Sequence, residues 1–325
     1  MVADAEDALG WRGPLLAGVL GALFAGGVLE VSARSRPLDR VQAVDLTAVA
    51  SEVKDGVPTW RSSGSVAERM GTPCGSRPEV VLVGSSIFYG SGIEAEESLR
   101  SQLAARLPEA CVRLVAEPGY TFDNQHLDLS RYLQTTRPAV VVWEVWLNMP
   151  NRWSVVGDTA YNFGVHTIEP GELPSPLGLP SSVNRVLFTQ LAAYRHLVIS
   201  QMSSEGPSWK VVWDRFVEER LATSVALLNR HETEVVLAYM PRLDRSFDQS
   251  TGDETGPYAV VRAHFGEALP MVDVAAVLAS RGAEVDAARI DTCCHFSPGG
   301  TSLVADALAD ALRPIVAAKR ASGAE

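Results

Sequence analysis

The chain predicts an α/β fold: a three-layer α/β/α sandwich built on a five-stranded parallel sheet of flavodoxin-like type, preceded by an N-terminal transmembrane-type helix. Three observations carry this. Short, continuous apolar runs rich in valine alternate with helical patterns, as strands covered on both faces do. The chain has 325 residues, of which 46% are hydrophobic, enough to bury one full domain core with appendages. Finally, residues 13–29, "GPLLAGVLGALFAGGVL", carry no charge.

That N-terminal run, as a helix, would span roughly 26 Å, just short of a typical hydrocarbon core. Its position and even apolarity favour a signal-anchor or signal peptide over a buried helix. Val31-Ser32-Ala33 would serve as a small-residue cleavage site, yet Asp4, Glu6 and Asp7 against Arg12 make an unusual n-region. Arg34, Arg36 and Arg40 follow the run and count toward keeping the C-terminal side in the cytoplasm, although large domains translocate despite such counts. Residues 1–33 are therefore expected to be tail and anchor. Residues 34–78, mixed in polarity and punctuated by Gly56, Pro58, Gly64, Gly71, Pro73 and Pro78, are expected to be a stalk.

The domain is expected over 79–320. "VVLVG" (80–84) opens it, followed by a helix with Leu99, Leu103 and Leu107 at four-residue spacing. "VRLVA" (112–116) precedes a helix around His126 to Leu133, and "AVVVWEVWLN" (139–148) is the third strand. "EVVLAYMP" (234–241) and "LPMVDVAAVLA" (269–279) are the fourth and fifth, and "GGTSLVADALADALRPIVAA" is the closing helix. An insertion over 149–233, roughly 85 residues and long for a strand-to-helix connection, is expected to hold helices at Val183 to Ser203 and Lys210 to Asn229 and to shape a substrate site.

Cys74 and Cys111 lie at the entry ends of two strands that would pair side by side. A disulfide between them is reasonable and would imply an oxidising compartment; the alternative is two buried thiols. Cys293 and Cys294 are adjacent, without the spacing of a zinc site. The net charge of -11 and the lack of a basic run exclude nucleic-acid binding as a ready function.

Four short elements fall at strand exits: Gly84-Ser85-Ser86, Pro118-Gly119-Tyr120, Trp146-Leu147-Asn148, and Asp291 to Pro298 before the last helix. In this order they resemble the SGNH hydrolases, the GDSL esterase and lipase family, over about residues 79–318. The resemblance implies a nucleophile at Ser86, a general base at His295, and an oxyanion hole made by the N–H groups of Ser86 and Gly119 with the Asn148 amide. The chemistry is coherent. A serine hydroxyl needs a base to take its proton, imidazole titrates near neutrality, and a tetrahedral intermediate carries an oxyanion.

Two departures stand out. The family places its aspartate three residues before the histidine, where this chain has Thr292. Either Asp291 reaches the imidazole through a bulged loop, which is the favoured reading, or His295 works in a dyad oriented by a backbone carbonyl. Relatives often carry Gly-x-Asn-Asp at the third motif, and here it is Trp146-Leu147-Asn148-Met149. Glu144, Trp146 and Asn148 should share one strand face. Trp146 and Tyr89 are candidates to line a substrate site, with core packing the alternative. Arg242, near Asp244, is a candidate for a polar substrate group, with a surface ion pair the alternative.

The expectation is a membrane-anchored, extracytoplasmic serine esterase without metal or organic cofactor. The resemblance implies O-acyl esters, O-acetyl groups on cell-surface carbohydrate in particular. The alternatives are an O-acyltransferase working with a membrane partner and a non-catalytic binding protein that keeps the fold.

Overall fold

The computed structural model describes Glu30 and residues 42–46, 50–54, 57–60, 74–147, 149–156, 158–162, 173–175, 177–202, 209–250, 256–291 and 294–322. In chain order the strands are β1 (Gln42–Asp45), β2 (Ala50–Lys54), β3 (Val57–Trp60), β4 (Glu79–Gly84), β5 (Cys111–Ala116), β6 (Val140–Val145), β7 (Trp153–Val156), β8 (Thr159–Asn162), β9 (Glu234–Tyr239) and β10 (Met271–Asp273). The helices are α1 (Ser86–Tyr89), α2 (Leu99–Arg106), α3 (Phe122–Leu133), α4 (Ser181–Gln190), α5 (Ala192–Met202), α6 (Trp209–Phe216), α7 (Ala222–Arg230), α8 (Phe247–Ser250), α9 (Pro257–Phe265), α10 (Val274–Ser280), α11 (Val285–Ala288) and α12 (Pro298–Ser322).

Valine at successive positions favours extended backbone and leaves both strand faces apolar. The runs accordingly form the centre of a parallel sheet in the order β10-β9-β6-β4-β5. Alternate residues serve opposite layers. Val80, Leu82, Val140, Val142 and Val236 pack against Leu99 and Leu103 of α2, Leu278 of α10 and Leu308 and Leu312 of α12. Val81, Val83, Val141, Trp143 and Leu237 pack against Leu129 and Leu133 of α3, Trp213 of α6, Leu228 of α7 and Val261 of α9. The three-layer sandwich follows. The order in which strands are added reverses at β4, with β5 on one side and β6 on the other, and ligand sites in such sheets lie beyond the strand ends at that switch.

The described part of 34–78 is not a bare stalk. β1 pairs antiparallel with β8, giving a small sheet in the order β1-β8-β7, and β2 and β3 form an antiparallel pair. Leu46 and Ala50 are buried with Trp153 and Ala160, and Asn124 Nδ2 donates to the Pro58 carbonyl at 2.5 Å. Strands of four or five residues are too brief to show a period, and the partner of β1 lies about a hundred residues onward in sequence.

The fifth strand is also shorter than expected. Asp273 Oδ1 accepts from the Ala276 N–H at 3.0 Å, capping α10, and the run after it winds into helix with Val274 and Leu278 buried. In the insertion, the first expected helix is broken at Leu191. The Glu30 carboxylate accepts from the Ala192 and Ala193 N–H groups at 2.9 Å each, and α5 starts there. The second expected helix holds, with a π-helical turn at Val217–Leu221 between α6 and α7. Cys74 and Cys111 are joined by a disulfide with a Cα–Cα distance of 5.4 Å, tying the lead-in segment to the start of β5. Among the described residues no helix is long and apolar enough to cross a membrane, and residues 13–29 lie outside them.

Candidate active site

The Gly84-Ser85-Ser86 stretch carries the chain from β4 directly into a one-turn helix. Ser85 is extended (φ -115°, ψ -152°), Ile87 and Phe88 of α1 are buried, and Gly90 ends the turn at φ 83° with its N–H on the Ser86 and Ile87 carbonyls. Ser86 is thus held at the top of the sheet by two apolar anchors and is itself only partly buried.

His295 comes from the loop between α11 and α12. Its carbonyl accepts the Ile290 N–H at 3.0 Å, an isolated bridge joins Arg289 to Phe296, and Phe296 is buried. The loop ends where Ser297 Oγ accepts the Gly300 N–H at 3.1 Å and Pro298 opens α12, a capped and pre-set helix start. Between these anchors His295 Nε2 lies 2.9 Å from Ser86 Oγ, and His295 Nδ1 lies 2.5 Å from Asp291 Oδ2.

Asp291 Oδ1 accepts the backbone N–H groups of Cys294 at 3.0 Å and His295 at 3.2 Å. Burial works against ionisation of Asp291, but those two amides, the imidazole hydrogen bond and the imidazole charge outweigh it and hold the carboxyl at about 2. The carboxylate is therefore charged whenever His295 is called on to accept a proton. It favours the tautomer with hydrogen on Nδ1, which leaves Nε2 as the acceptor facing Ser86.

The remaining expected site residues divide. Gly119 lies three residues past β5, the strand beside β4, at φ 81°, a conformation that only glycine takes up without strain. Asn148 lies outside the described residues. Trp146 is partly buried and packs against the core layer that holds Phe88 and Val142. Tyr89, three residues past Ser86, is 37% exposed. Arg242 follows β9 and pairs with Asp244, Nε to Oδ1 at 2.9 Å, with both side chains about two-fifths exposed; the Arg242 hydrogen bond and charge pull the Asp244 carboxyl below its ordinary value. The alternative of a surface ion pair is what the geometry shows.

Sequence reading set one group at the site, Glu144, on a strand face with Trp146 and Asn148 without giving it a role. Glu144 of β6 lies directly under the turn, 1% exposed, accepting the Ser85 hydroxyl on Oε1 at 2.5 Å and the Ser85 and Phe88 N–H groups on Oε2 at 3.0 and 3.1 Å. Burial pushes its carboxyl upward, while these three donors and the nearby imidazole charge pull it back. The signal was visible: one acidic residue inside "VVVWEV", a strand apolar at every other position.

Asp291, Cys294 and His295 also approach closely enough to suggest a metal cage, their ligand atoms lying within 4.8 Å of one another. Cys294 is disulfide-bonded and the imidazole is engaged on both nitrogens, so this group does not present the thiolate and free imidazole that a metal needs.

No known family profile matches the chain, and no characterised protein sequence matches it. Several solved structures are similar in trace. A lipolytic protein of the G-D-S-L family from Veillonella parvula is 11% identical, over 71% of this chain and 96% of that one, with a TM-score of 0.43. A lipase/acylhydrolase from Enterococcus faecalis is 15% identical, over 73% and 96%, also at 0.43. A GDSL-like lipase from Bacteroides thetaiotaomicron is 12% identical, over 77% and 94%, at 0.41. Likeness at this level says nothing of reaction or substrate.

Proposed function

We propose that the protein is a serine acyl-hydrolase of the SGNH type, acting on O-acyl esters through a covalent acyl-enzyme. One observation carries the reading: the continuous line from Ser86 Oγ to His295 Nε2 at 2.9 Å and from His295 Nδ1 to Asp291 Oδ2 at 2.5 Å. A nucleophile, a base within reach of it and a third group orienting the base are what acyl transfer requires. A binding protein that had lost activity would have no need to keep the three in line, and the motif order along the chain supports the same reading.

In this mechanism Ser86 Oγ attacks the ester carbonyl carbon as its proton passes to His295 Nε2. Asp291 stabilises the imidazolium that forms. The developing oxyanion is received by the N–H groups of Ser86 and Gly119 and the Asn148 amide. Collapse expels the alcohol, which takes the proton from Nε2, and water repeats the sequence in reverse to release the acid. The family resemblance points to short acyl groups, O-acetyl on carbohydrate among them. Attachment to a membrane through residues 13–29, with the domain on the oxidising side, is part of the proposal; the charge-free run and the Cys74–Cys111 disulfide support it.

Turnover of short-chain aryl esters by the full chain, together with labelling by a serine-reactive phosphonate, tests the reading. Both should vanish in Ser86→Ala, and turnover should fall by at least about a thousandfold in His295→Ala. Folded wild-type protein that neither turns over nor labels would overturn it.

A further inference from the structure

Glu144 is a buried carboxylate in a strand whose other side chains are all apolar. Packing alone would be served better by valine at that position, because a buried carboxylate is costly unless its hydrogen bonds are complete. Here they are supplied by a single source. The three donors that reach it, the Ser85 hydroxyl, the Ser85 N–H and the Phe88 N–H, all belong to the turn that carries Ser86. Two of these groups precede Ser86 in the chain and one follows it. The carboxylate therefore grips the turn on both sides of the serine and leaves the Ser86 N–H outside its grip. Gly84 is shaped to the same contact, since a Cβ there would stand 2.5 Å from Glu144 Oε2 and 2.9 Å from Phe88 Cβ. β6 is the neighbour of β4 on the side away from β5, so the grip crosses the switch point of the sheet.

We infer that Glu144 is a positioning residue for the reaction: it fixes the Gly84–Phe88 turn so that Ser86 Oγ stays on His295 Nε2 while the Ser86 N–H faces the oxyanion. The inference rests on the serine-hydrolase reading above. Its physical content is that a nucleophile misplaced by about 1 Å loses on the order of a hundredfold in rate even when substrate binding is intact.

Glu144→Gln keeps the size and one acceptor oxygen but sets an amide NH2 against donors, so part of the grip is lost. The expected result is a kcat lower by about 10- to 100-fold with KM within about twofold, and a phosphonate labelling rate lowered by the same factor as kcat. Ser85→Ala removes one of the three donors and should lower kcat by a smaller factor. The double variant should lose no more than Glu144→Gln alone, because both act through one contact. A folded Glu144→Gln whose kcat and labelling stay within twofold of wild type, even with a lower melting temperature, would reduce Glu144 to structural support and overturn the inference. Should Glu144→Gln not fold, Ser85→Ala decides, and unchanged labelling in that variant overturns it equally. The two readings fail separately: a wild type that never labels removes the hydrolase and this role together, whereas a labelled wild type with an equally labelled Glu144→Gln removes only this role.

Discussion

Asp291 bonds to His295 and Glu144 to the turn that carries Ser86, and their surroundings push them in opposite directions. Asp291 gathers two backbone amides and an imidazole and is held at about 2, whereas burial pushes Glu144 up. Pairs of carboxyl groups driven apart in this way mark sites where the two have different duties. The duty of Asp291 is tested by Asp291→Asn. The amide keeps an oxygen for the Cys294 and His295 N–H groups but favours the wrong imidazole tautomer, so kcat should fall by about 10³- to 10⁴-fold with KM little changed, as read from steady-state rates. A loss under tenfold would mean that another group orients His295. Ser86 and His295, which the structure brings together, were legible in the sequence because each follows or precedes a strong strand or helix signal, and a strand exit is a definable place. Asp291 was legible only as one of two alternatives. Its approach to His295 depends on two backbone N–H groups donating to one carboxylate oxygen, and no periodicity records that. Glu144 was written in the sequence as a lone charge in an apolar run, but its partner is a turn about sixty residues away, so its meaning emerged only with the sheet order.

At the scale of elements, the Cys74–Cys111 disulfide holds the start of β5 to the segment before β4 across 37 residues of sequence. β5 is one of the two edge strands of the parallel sheet, paired on one side only among the described residues, so the tie supports a strand that lacks a second neighbour. Replacing both cysteines by alanine should lower the unfolding free energy by about 2–4 kcal/mol, measured by urea denaturation under conditions where the remaining cysteines are unchanged. A midpoint that does not move would show that the edge is held by packing alone. The same scale explains which elements sequence patterning revealed. β4, β5, β6 and β9 each present buried side chains to a helical layer and needed only their own valines to be recognised. β10 was overextended because "MVDVAAVLA" is apolar but for Asp273, and the cap that Asp273 forms divides it into strand and helix. β1, β2 and β3 were hidden because their stability comes from partners: β8 for β1, and each other for β2 and β3. The break at Leu191 was hidden for the same reason, since the carboxylate that meets the new helix start belongs to Glu30.

At the scale of the whole molecule, a net charge of -11 makes stability sensitive to pH through many groups at once, because acid relieves the repulsion among carboxylates. The contribution of the site has to be isolated as a difference. Asp291 titrates at about 2 in the folded chain against an ordinary 3.8, so folding is favoured by its ionised form. That contribution is complete above about pH 4 and is lost as the pH falls from there through about 2. Glu144 has the opposite sign: its folded carboxyl titrates above the ordinary 4.5, so its contribution is complete below that value and is lost as the pH rises through the folded one. Because the Asp291 side chain is 40% exposed, solvent screens part of its interaction and the effect should be modest. The gap in melting temperature between wild type and Asp291→Asn should therefore stay level from pH 7 to about pH 4 and close between about pH 4 and 2. General acid effects shift both proteins together and drop out. A gap that persists unchanged to pH 2 would mean that the folded carboxyl is not held down, and the line from Asp291 through His295 to Ser86 would lose its anchor.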